Sequence, residues 1–317
     1  MQSIKETQKR VIFLIQIILS IFLFYLLFEK VNLNQIKYVV QDINIVYFLI
    51  AIGLKTSTIL LSSITLGVVL EILKQFIPLF ELFKIYFSSY FYNSIGIGTI
   101  GGDLYRWYKL KKINGSKETS SLIIITEKII GFSVLFSFAF VGFTIAVLHG
   151  SYIMTLLLIP LPFVFIYGLS LIVRNIMRIV SKIKALSHLY PFELFSKEVE
   201  QIPLTPPKLL ARGIFFSSLY YVTSIAAFAF IVYSIDKTIP LSASFFILPV
   251  VVLFTSLPIS FQGFGLSEIT IAYLFPILGY SAITGAVVAL AYLLVNLLLA
   301  ISSGLYNISK KIKIKGE

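Results

Sequence analysis

Several residue types on which enzymes and cofactor proteins depend are scarce in this sequence. It has no cysteine, only two histidines, and only three aspartates, at positions 42, 103 and 236. The lack of cysteine excludes disulfides, thiolate metal sites and thiolate-held clusters. So few histidines and aspartates leave no metal-binding motif and no Ser-His-Asp set. We therefore expect no cofactor, no metal and no catalytic residues.

Charged residues are few as well. They make up 13% of the 317 residues, whereas 58% are hydrophobic and the mean hydropathy is +0.96, which predicts an integral membrane protein. The net charge of +12 would indicate a nucleic-acid surface only on a folded polar module, which the sequence lacks. The excess of lysine and arginine is instead typical of cytoplasmic flanks of membrane helices.

Six apolar segments are long enough to cross the ~30 Å hydrocarbon core as helices. They are residues 11–28, 45–70, 129–148, 152–173, 213–235 and 283–306. Two further apolar segments, 79–102 and 240–276, are interrupted by glycine and proline. The sequence thus predicts an all-α polytopic fold in a single membrane domain, with six full transmembrane helices and two re-entrant or broken helical hairpins.

The distribution of basic residues predicts the topology. Lysines and arginines at both ends place both termini in the cytoplasm of a cell (inner) membrane. A full crossing by 79–102 would export the basic loop at 106–117, so we expect this segment to return to its own side, and 240–276 to dip in from the other. Residues 174–212 form the one sizeable polar segment, expected to lie as amphipathic helix on the cytoplasmic face.

The two interrupted segments resemble each other at an offset of 162 residues. Residues 94–104 and 256–266 are identical at four of eleven positions. Three crossings separate the copies, which predicts an inverted repeat with units of about 45–148 and 213–306, as in secondary transporters. The alternative is that the glycines only allow close helix packing.

A helix should restart after each glycine cluster. Asp103 and Ser267 are suitable N-caps, and two helix N-termini would then present free N–H groups to an anion. At the same offset Arg106 aligns with Glu268. We expect these two side chains to lie around one cavity near the midplane, so that reversing both charges restores more function than either single reversal.

Three other ionisable residues fall within or beside predicted crossings. Lys55 lies ten residues into the second crossing, and Glu127 and Lys128 open the third. A charge at the bilayer centre costs at least about 2.5–3.5 kcal/mol, so each needs a partner or a wet cavity. The alternatives are a structural ion pair of Lys55 with Glu268, an interfacial pair at residues 127 and 128, and a place for Arg106 on the basic cytoplasmic face.

Three motifs bring a known family to mind. They are SIGIGTIGGDLYR at 94–106, EKIIG at 127–131 and LPISFQGFGLSE at 257–268. In order and approximate spacing they resemble the lysylphosphatidylglycerol synthase transmembrane-region family, the flippase-like domain of multiple peptide resistance proteins and of stand-alone relatives. The resemblance covers nearly the whole chain and implies a polytopic domain that carries or accommodates a lipid. Lys128 stands where the family would have Arg, which weakens bidentate phosphate binding there.

The resemblance and the membrane charges together predict a set of lipid-binding residues. This set consists of Lys55, Gly101, Gly102, Asp103, Arg106, Glu127, Lys128, Gln262, Gly263, Gly265 and Glu268. The aminoacyl-transferase domain of the longer relatives does not occur in the sequence, so we expect that the chain does not synthesise lysylated lipid.

The leading functional hypothesis is a flippase-like translocator of an anionic phospholipid or a polyprenyl-linked lipid. Lys55 and Arg106 would attract the phosphate, while Glu127 and Glu268 would hold the cations or receive protons. One alternative is a membrane enzyme such as a lipid-linked glycosyltransferase, which would need an acidic metal site or a catalytic His. Another is a lipid-binding scaffold for a partner complex. The partners considered are a membrane lipid with an anionic headgroup, a second copy of the chain, and a lipid-synthesising enzyme.

Overall fold

The computed structural model describes residues 41, 43–95, 100–146, 161–182, 207–256 and 265–315. Within these ranges the regular structure is entirely α-helical, as predicted. The nine helices are α1 (Ile45–Ile72), α2 (Leu79–Ser94), α3 (Ile100–Asn114), α4 (Lys117–Ala146), α5 (Leu161–Lys182), α6 (Pro207–Ile235), α7 (Leu241–Ser256), α8 (Leu266–Ile277) and α9 (Ala282–Lys315).

Four of these helices are long and apolar enough to span a membrane. They are α1, α4, α6 and the part Ala282–Ser309 of α9. The 28 residues of α1 extend about 42 Å, more than the hydrocarbon thickness. The protein is therefore an integral membrane protein. The predicted crossing at 11–28 lies outside the described residues, and only the part of 152–173 from residue 161 lies within them, in α5, so the number of six crossings stays a prediction.

Both segments predicted to be broken consist of two helices. Segment 79–102 contains α2 and the start of α3, and segment 240–276 contains α7 and nearly all of α8. Pro78 and Pro240 each precede the first helix of the pair, where a missing N–H matters least. Gly265 precedes α8 with a φ of 79°, a left-handed conformation that favours glycine. The interruptions of these two helical segments are thus confirmed.

Helix α4 begins 12 residues before the predicted start at residue 129. Gly115, with a φ of 72°, ends the preceding turn, and the Ser116 hydroxyl accepts a hydrogen bond from the Thr119 N–H at 3.1 Å. This cap starts the helix at Lys117, although its first turns are polar. The prediction that Glu127 and Lys128 open the helix is wrong, since they lie three turns inside it.

The ends of the polar segment 174–212 belong to long helices. Helix α5 continues to Lys182, and α6 already begins at Pro207. The first part of the predicted surface segment is therefore a continuation of α5, and its last residues are the start of α6. Residues 183–206 lie outside the described residues.

The helix order long, short, short, long occurs twice, in α1–α4 and in α6–α9, which we call unit one and unit two. The matching helix ends lie 162 residues apart, from Ile45 to Pro207, from Leu79 to Leu241 and from Ser94 to Ser256. The packing matches as well: α2 packs on α3 as α7 packs on α8, α3 on α4 as α8 on α9, and α4 on α7 as α9 on α2. The two units therefore have corresponding internal and mutual contacts.

The first helices of the two units, α1 and α6, pack on each other along their length in opposite directions. At one end the Asn44 N–H donates to the Ser234 carbonyl oxygen at 2.7 Å. At the other end Arg212 Nη1 lies 2.8 Å from Glu71 Oε2. Since the N-terminal end of α1 meets the C-terminal end of α6, the two equivalent helices are antiparallel.

Each unit has a hydrophobic core. The core of unit two contains Phe228 and Phe275, whereas Leu66 and Leu82 belong to that of unit one. Phe138, from α4, packs against both cores. The two cores enclose a region of polar side chains between the units.

Candidate functional site

A cavity of about 310 Å³ lies between the two units. Its described lining comes from every helix of the two units except α8, and only Gly131, Phe132 and Val252 in it lack a polar or charged side chain. Polar groups buried among apolar helices are costly unless they have partners or water. A concentration of so many in one place therefore indicates a binding site.

The cavity lies at mid-depth in the spanning helices. Lys55 is the eleventh residue of α1, about 15 Å from its start, and Asn296 is the fifteenth residue of α9, about 21 Å from its start. Both helices have more than a turn of apolar residues on either side of these positions. A group held in the cavity would thus be surrounded by the hydrocarbon layer.

An ion cluster forms one wall of the cavity. Arg106 Nη1 donates to both carboxylate oxygens of Glu127 at 2.7 Å, and also to the Tyr86 hydroxyl, while Nη2 donates to Asp103. Lys128 Nζ lies 2.8 Å from the second oxygen of Asp103. The Arg106 side chain is 7% exposed. The two terminal nitrogens of this guanidinium and all four carboxylate oxygens are therefore engaged within the cluster.

The junction of α2 and α3 holds this cluster in place. The Gly102 N–H donates to Asn93 Oδ1 at 2.8 Å, and a Cβ at residue 102 would overlap the Asn93 side-chain amide. The rings of Tyr92 and Tyr105 stack with centroids 4.2 Å apart. Gly102 thus permits the close approach that brings the first turns of α3 against α2, and with it Asp103 and Arg106.

Lys55 reaches the cavity from the opposite side of the ion cluster's own helices, on α1. Its Nζ lies 5.5 Å from the ring centroid of Tyr292, a contact of cation–π type. Tyr90 and Tyr220 also line the cavity near it. No carboxylate within salt-bridge distance of Lys55 is present in the described part of the chain, so this cation is left without an anionic partner there.

Five of the eleven predicted lipid-binding residues line the cavity: Lys55, Asp103, Arg106, Glu127 and Lys128. Gly101 and Gly102 lie in the first turn of α3, outside the described lining. Gln262 and Gly263 lie outside the described residues.

The predicted helix caps are wrong in both units. Helix α3 begins at Ile100, which places Asp103 in its first turn, where the carboxylate pairs with Arg106 and Lys128 instead of capping. Helix α8 begins after Gly265, and Ser267 lies inside its first turn. The cap there is Glu268, whose Oε2 accepts the Gly265 N–H at 2.7 Å.

Glu268 does not belong to the described cavity lining. Its side chain is 1% exposed for the residue as a whole, and its second oxygen accepts from the Ser267 hydroxyl at 2.7 Å. The expectation that Arg106 and Glu268 share one cavity is therefore wrong. A carboxylate three residues after the start of a helix finds free N–H groups locally, and Arg106 finds its carboxylates in its own unit.

Sequence reasoning missed most of the neutral side chains of the lining. They follow helical spacing: Tyr86, Tyr90 and Asn93 on α2, Ser217, Tyr220 and Tyr221 on α6, and Tyr292 and Asn296 on α9. The signal was available as polar residues at intervals of three or four within apolar helices, which mark a single helix face. Among the described residues no three His, Asp or Glu side chains are grouped as metal ligands would be.

Comparison with known proteins agrees with this architecture. No curated protein matches the chain. The family model described as lysylphosphatidylglycerol synthase TM region matches residues 13–304, which include all nine helices except the end of α9. Because this match covers most of the 317 residues, the chain belongs to the lysylphosphatidylglycerol synthase transmembrane-region family.

Proposed function

We propose that this protein is a lipid translocator of a cell (inner) membrane, which moves an anionic phospholipid or a polyprenyl-linked lipid between the leaflets. In this proposal it acts as a transporter and not as an enzyme. The observation that carries it is the polar cavity at mid-depth, in which a lysine without a carboxylate partner lies beside hydroxyl and amide side chains. A polar headgroup meets its main barrier at this depth, and the cavity replaces the water that the headgroup loses there.

The correspondence of the two units supports transport over simple lipid binding. Equivalent helix ends at a constant offset, matching contacts and antiparallel first helices favour an inverted repeat. In such repeats broken helices from opposite sides meet near the midplane, and the substrate site lies where the repeats join. We infer that α2–α3 and α7–α8 are re-entrant hairpins of this kind, with both termini of the chain cytoplasmic.

The ion cluster and Lys55 have different parts in this proposal. Arg106 is engaged with Glu127 and Asp103, so its role is to hold α3 against α4 at the cavity wall. Lys55 has no such partner and is the cation that attracts the phosphate. A free lysine ammonium binds phosphate as a point charge with three donors.

The test is lipid movement in vesicles that contain the purified full chain. A fluorescent phosphatidylglycerol in both leaflets is bleached from outside, and lipid that reaches the outer leaflet continues to lose fluorescence. We expect faster loss than in protein-free vesicles, and slower loss with Lys55→Met. The control is Lys84→Met, because Lys84 is paired with Glu81 on α2 and lies outside the described lining.

The proposal fails if the wild-type protein moves no anionic glycerolipid and no polyprenyl-linked lipid faster than empty vesicles do. Binding of lipid without movement would favour a scaffold. Equal effects of the two lysine substitutions would contradict the part assigned to Lys55.

A further inference from the structure

We propose that the cavity selects a headgroup that combines one phosphate anion with free hydroxyl groups, such as a phosphoglycerol or a phosphosugar, and rejects a headgroup that carries an aminoacyl cation. This inference rests on the proposed function and names the substrate class of the same site. It follows from the charges of the lining, from the state of its hydrogen-bonding groups and from its size.

The charges of the described lining leave an excess of one cation. The lining holds Lys55, Arg106 and Lys128 as cations against Asp103 and Glu127 as anions. The sequence between the helices of each broken segment, 95–99 and 257–264, contains no ionisable side chain. These segments therefore add no charge of either sign, and a single phosphate would balance the site.

An ammonium group on the headgroup would find no free carboxylate in this lining. Both oxygens of Glu127 accept from Arg106, and those of Asp103 accept from Arg106 and Lys128. A second cation would lie in the same low-dielectric cavity as Lys55, where like charges repel strongly. An aminoacylated lipid is thus disfavoured by electrostatics, although a neutral hydroxylated lipid phosphate is not.

The neutral part of the lining is suited to hydroxyl groups. The Thr255 and Ser256 hydroxyls donate to backbone carbonyl groups of α7 at 2.9 and 2.6 Å, and the Asn296 amide donates to the Tyr292 carbonyl oxygen at 3.0 Å. Since these donors are used within the helices, the oxygen lone pairs remain available as acceptors. An uncharged O–H of glycerol or a sugar supplies the donor for them.

The size of the cavity limits what it encloses. Ligand pockets for small molecules measure roughly 300–1,000 Å³, and this cavity of about 310 Å³ lies at the lower end. It fits a small headgroup and not the acyl or prenyl chains. Selection therefore acts on the headgroup, whether the lipid is a glycerolipid or a polyprenyl-linked sugar.

The experiment compares initial rates of movement for four labelled lipids in vesicles with the full chain. Phosphatidylglycerol and a polyprenyl phosphohexose carry one negative charge and hydroxyls, phosphatidylmethanol carries the charge alone, and lysylphosphatidylglycerol adds amines. We expect one or both of the first two to move fastest, and lysylphosphatidylglycerol to move slowest. The rate for the preferred lipid should fall about tenfold or more with Lys55→Met.

A charge reversal separates selectivity from folding. With Lys55→Glu we expect lysylphosphatidylglycerol to move faster than phosphatidylglycerol, a reversal of order that misfolded protein would not give. The inference is overturned if wild-type protein moves lysylphosphatidylglycerol as fast as phosphatidylglycerol, or phosphatidylmethanol as fast as both hydroxylated lipids. Movement in that wrong order leaves the proposed function intact, whereas no movement of any of the four lipids ends both proposals.

Discussion

Units one and two have the same order of helices but very different chemistry. Gly142 in α4 and Gly304 in α9 are 162 residues apart, and each lies where its helix closely approaches the other unit. By contrast, unit one contributes all five charged residues of the described lining, whereas unit two contributes hydroxyl, phenol and amide groups. Helix packing has kept its symmetry and the cavity surface has not.

This difference corresponds to the two parts of the substrate that we propose. A headgroup with a phosphate at one end and hydroxyls at the other is itself asymmetric. A cavity whose two walls were identical would offer charge to both parts. The comparison of the units therefore predicts that substitutions at equivalent positions have unequal effects.

The largest inequality is expected at the ion cluster of unit one. Glu127→Met leaves the buried Arg106 with one carboxylate partner fewer, and we expect a loss of about 3–5 kcal/mol in the free energy of unfolding. The double variant Arg106→Met with Glu127→Met should recover much of this loss, because no unpaired charge then remains. Denaturant unfolding in detergent measures the effect.

The matched control for Glu127 is Glu71→Met. Its partner Arg212 and Glu71 itself are each close to half exposed, so we expect at most about 1 kcal/mol. Equal losses for the two single variants, or no recovery in the double variant, would show that the ion cluster does not stabilise unit one as described.

A smaller inequality is expected at the equivalent glycines. An added Cβ at Gly142 overlaps the backbone carbonyl of Phe245, which cannot move without α7. At Gly304 the Cβ would lie 2.8 Å from Cδ2 of Phe91, and that ring can rotate away. We expect Gly142→Ala to lower the free energy of unfolding by about 1–3 kcal/mol and Gly304→Ala by less. The opposite order in a denaturant titration would contradict the account of the two contacts.

The positions of the broken helices could be predicted from the sequence because glycine and proline act locally. The offset of 162 residues found in the motifs also holds for helix ends and for the pair Gly142 and Gly304, far from the motifs. The start of α4 could not be predicted from hydropathy, since its first three turns include Lys117, Glu118, Glu127 and neighbouring polar residues. There the local cap at Ser116 decides the start of the helix.

The candidate site could be predicted only in its charged part. An ionisable residue in an apolar helix stands out in the sequence, which identified Lys55, Arg106 and Glu127. Their partners could not be predicted, because an alignment of repeats gives equivalent positions and not contacts. Equivalence suggested Arg106 with Glu268, whereas the structure pairs Arg106 with Glu127, 21 residues away in the same unit.

The smallest effect is expected at Glu268, the counterpart of Arg106 in unit two. Its carboxylate caps α8 through Gly265 and Ser267 and does not line the described cavity. Glu268→Gln keeps one acceptor oxygen, so we expect a loss of about 1 kcal/mol in the free energy of unfolding and a rate of lipid movement near that of wild type. If the rate collapsed while unfolding changed this little, Glu268 would take part in transport directly, and the two units would share the charged chemistry that we assign to unit one alone.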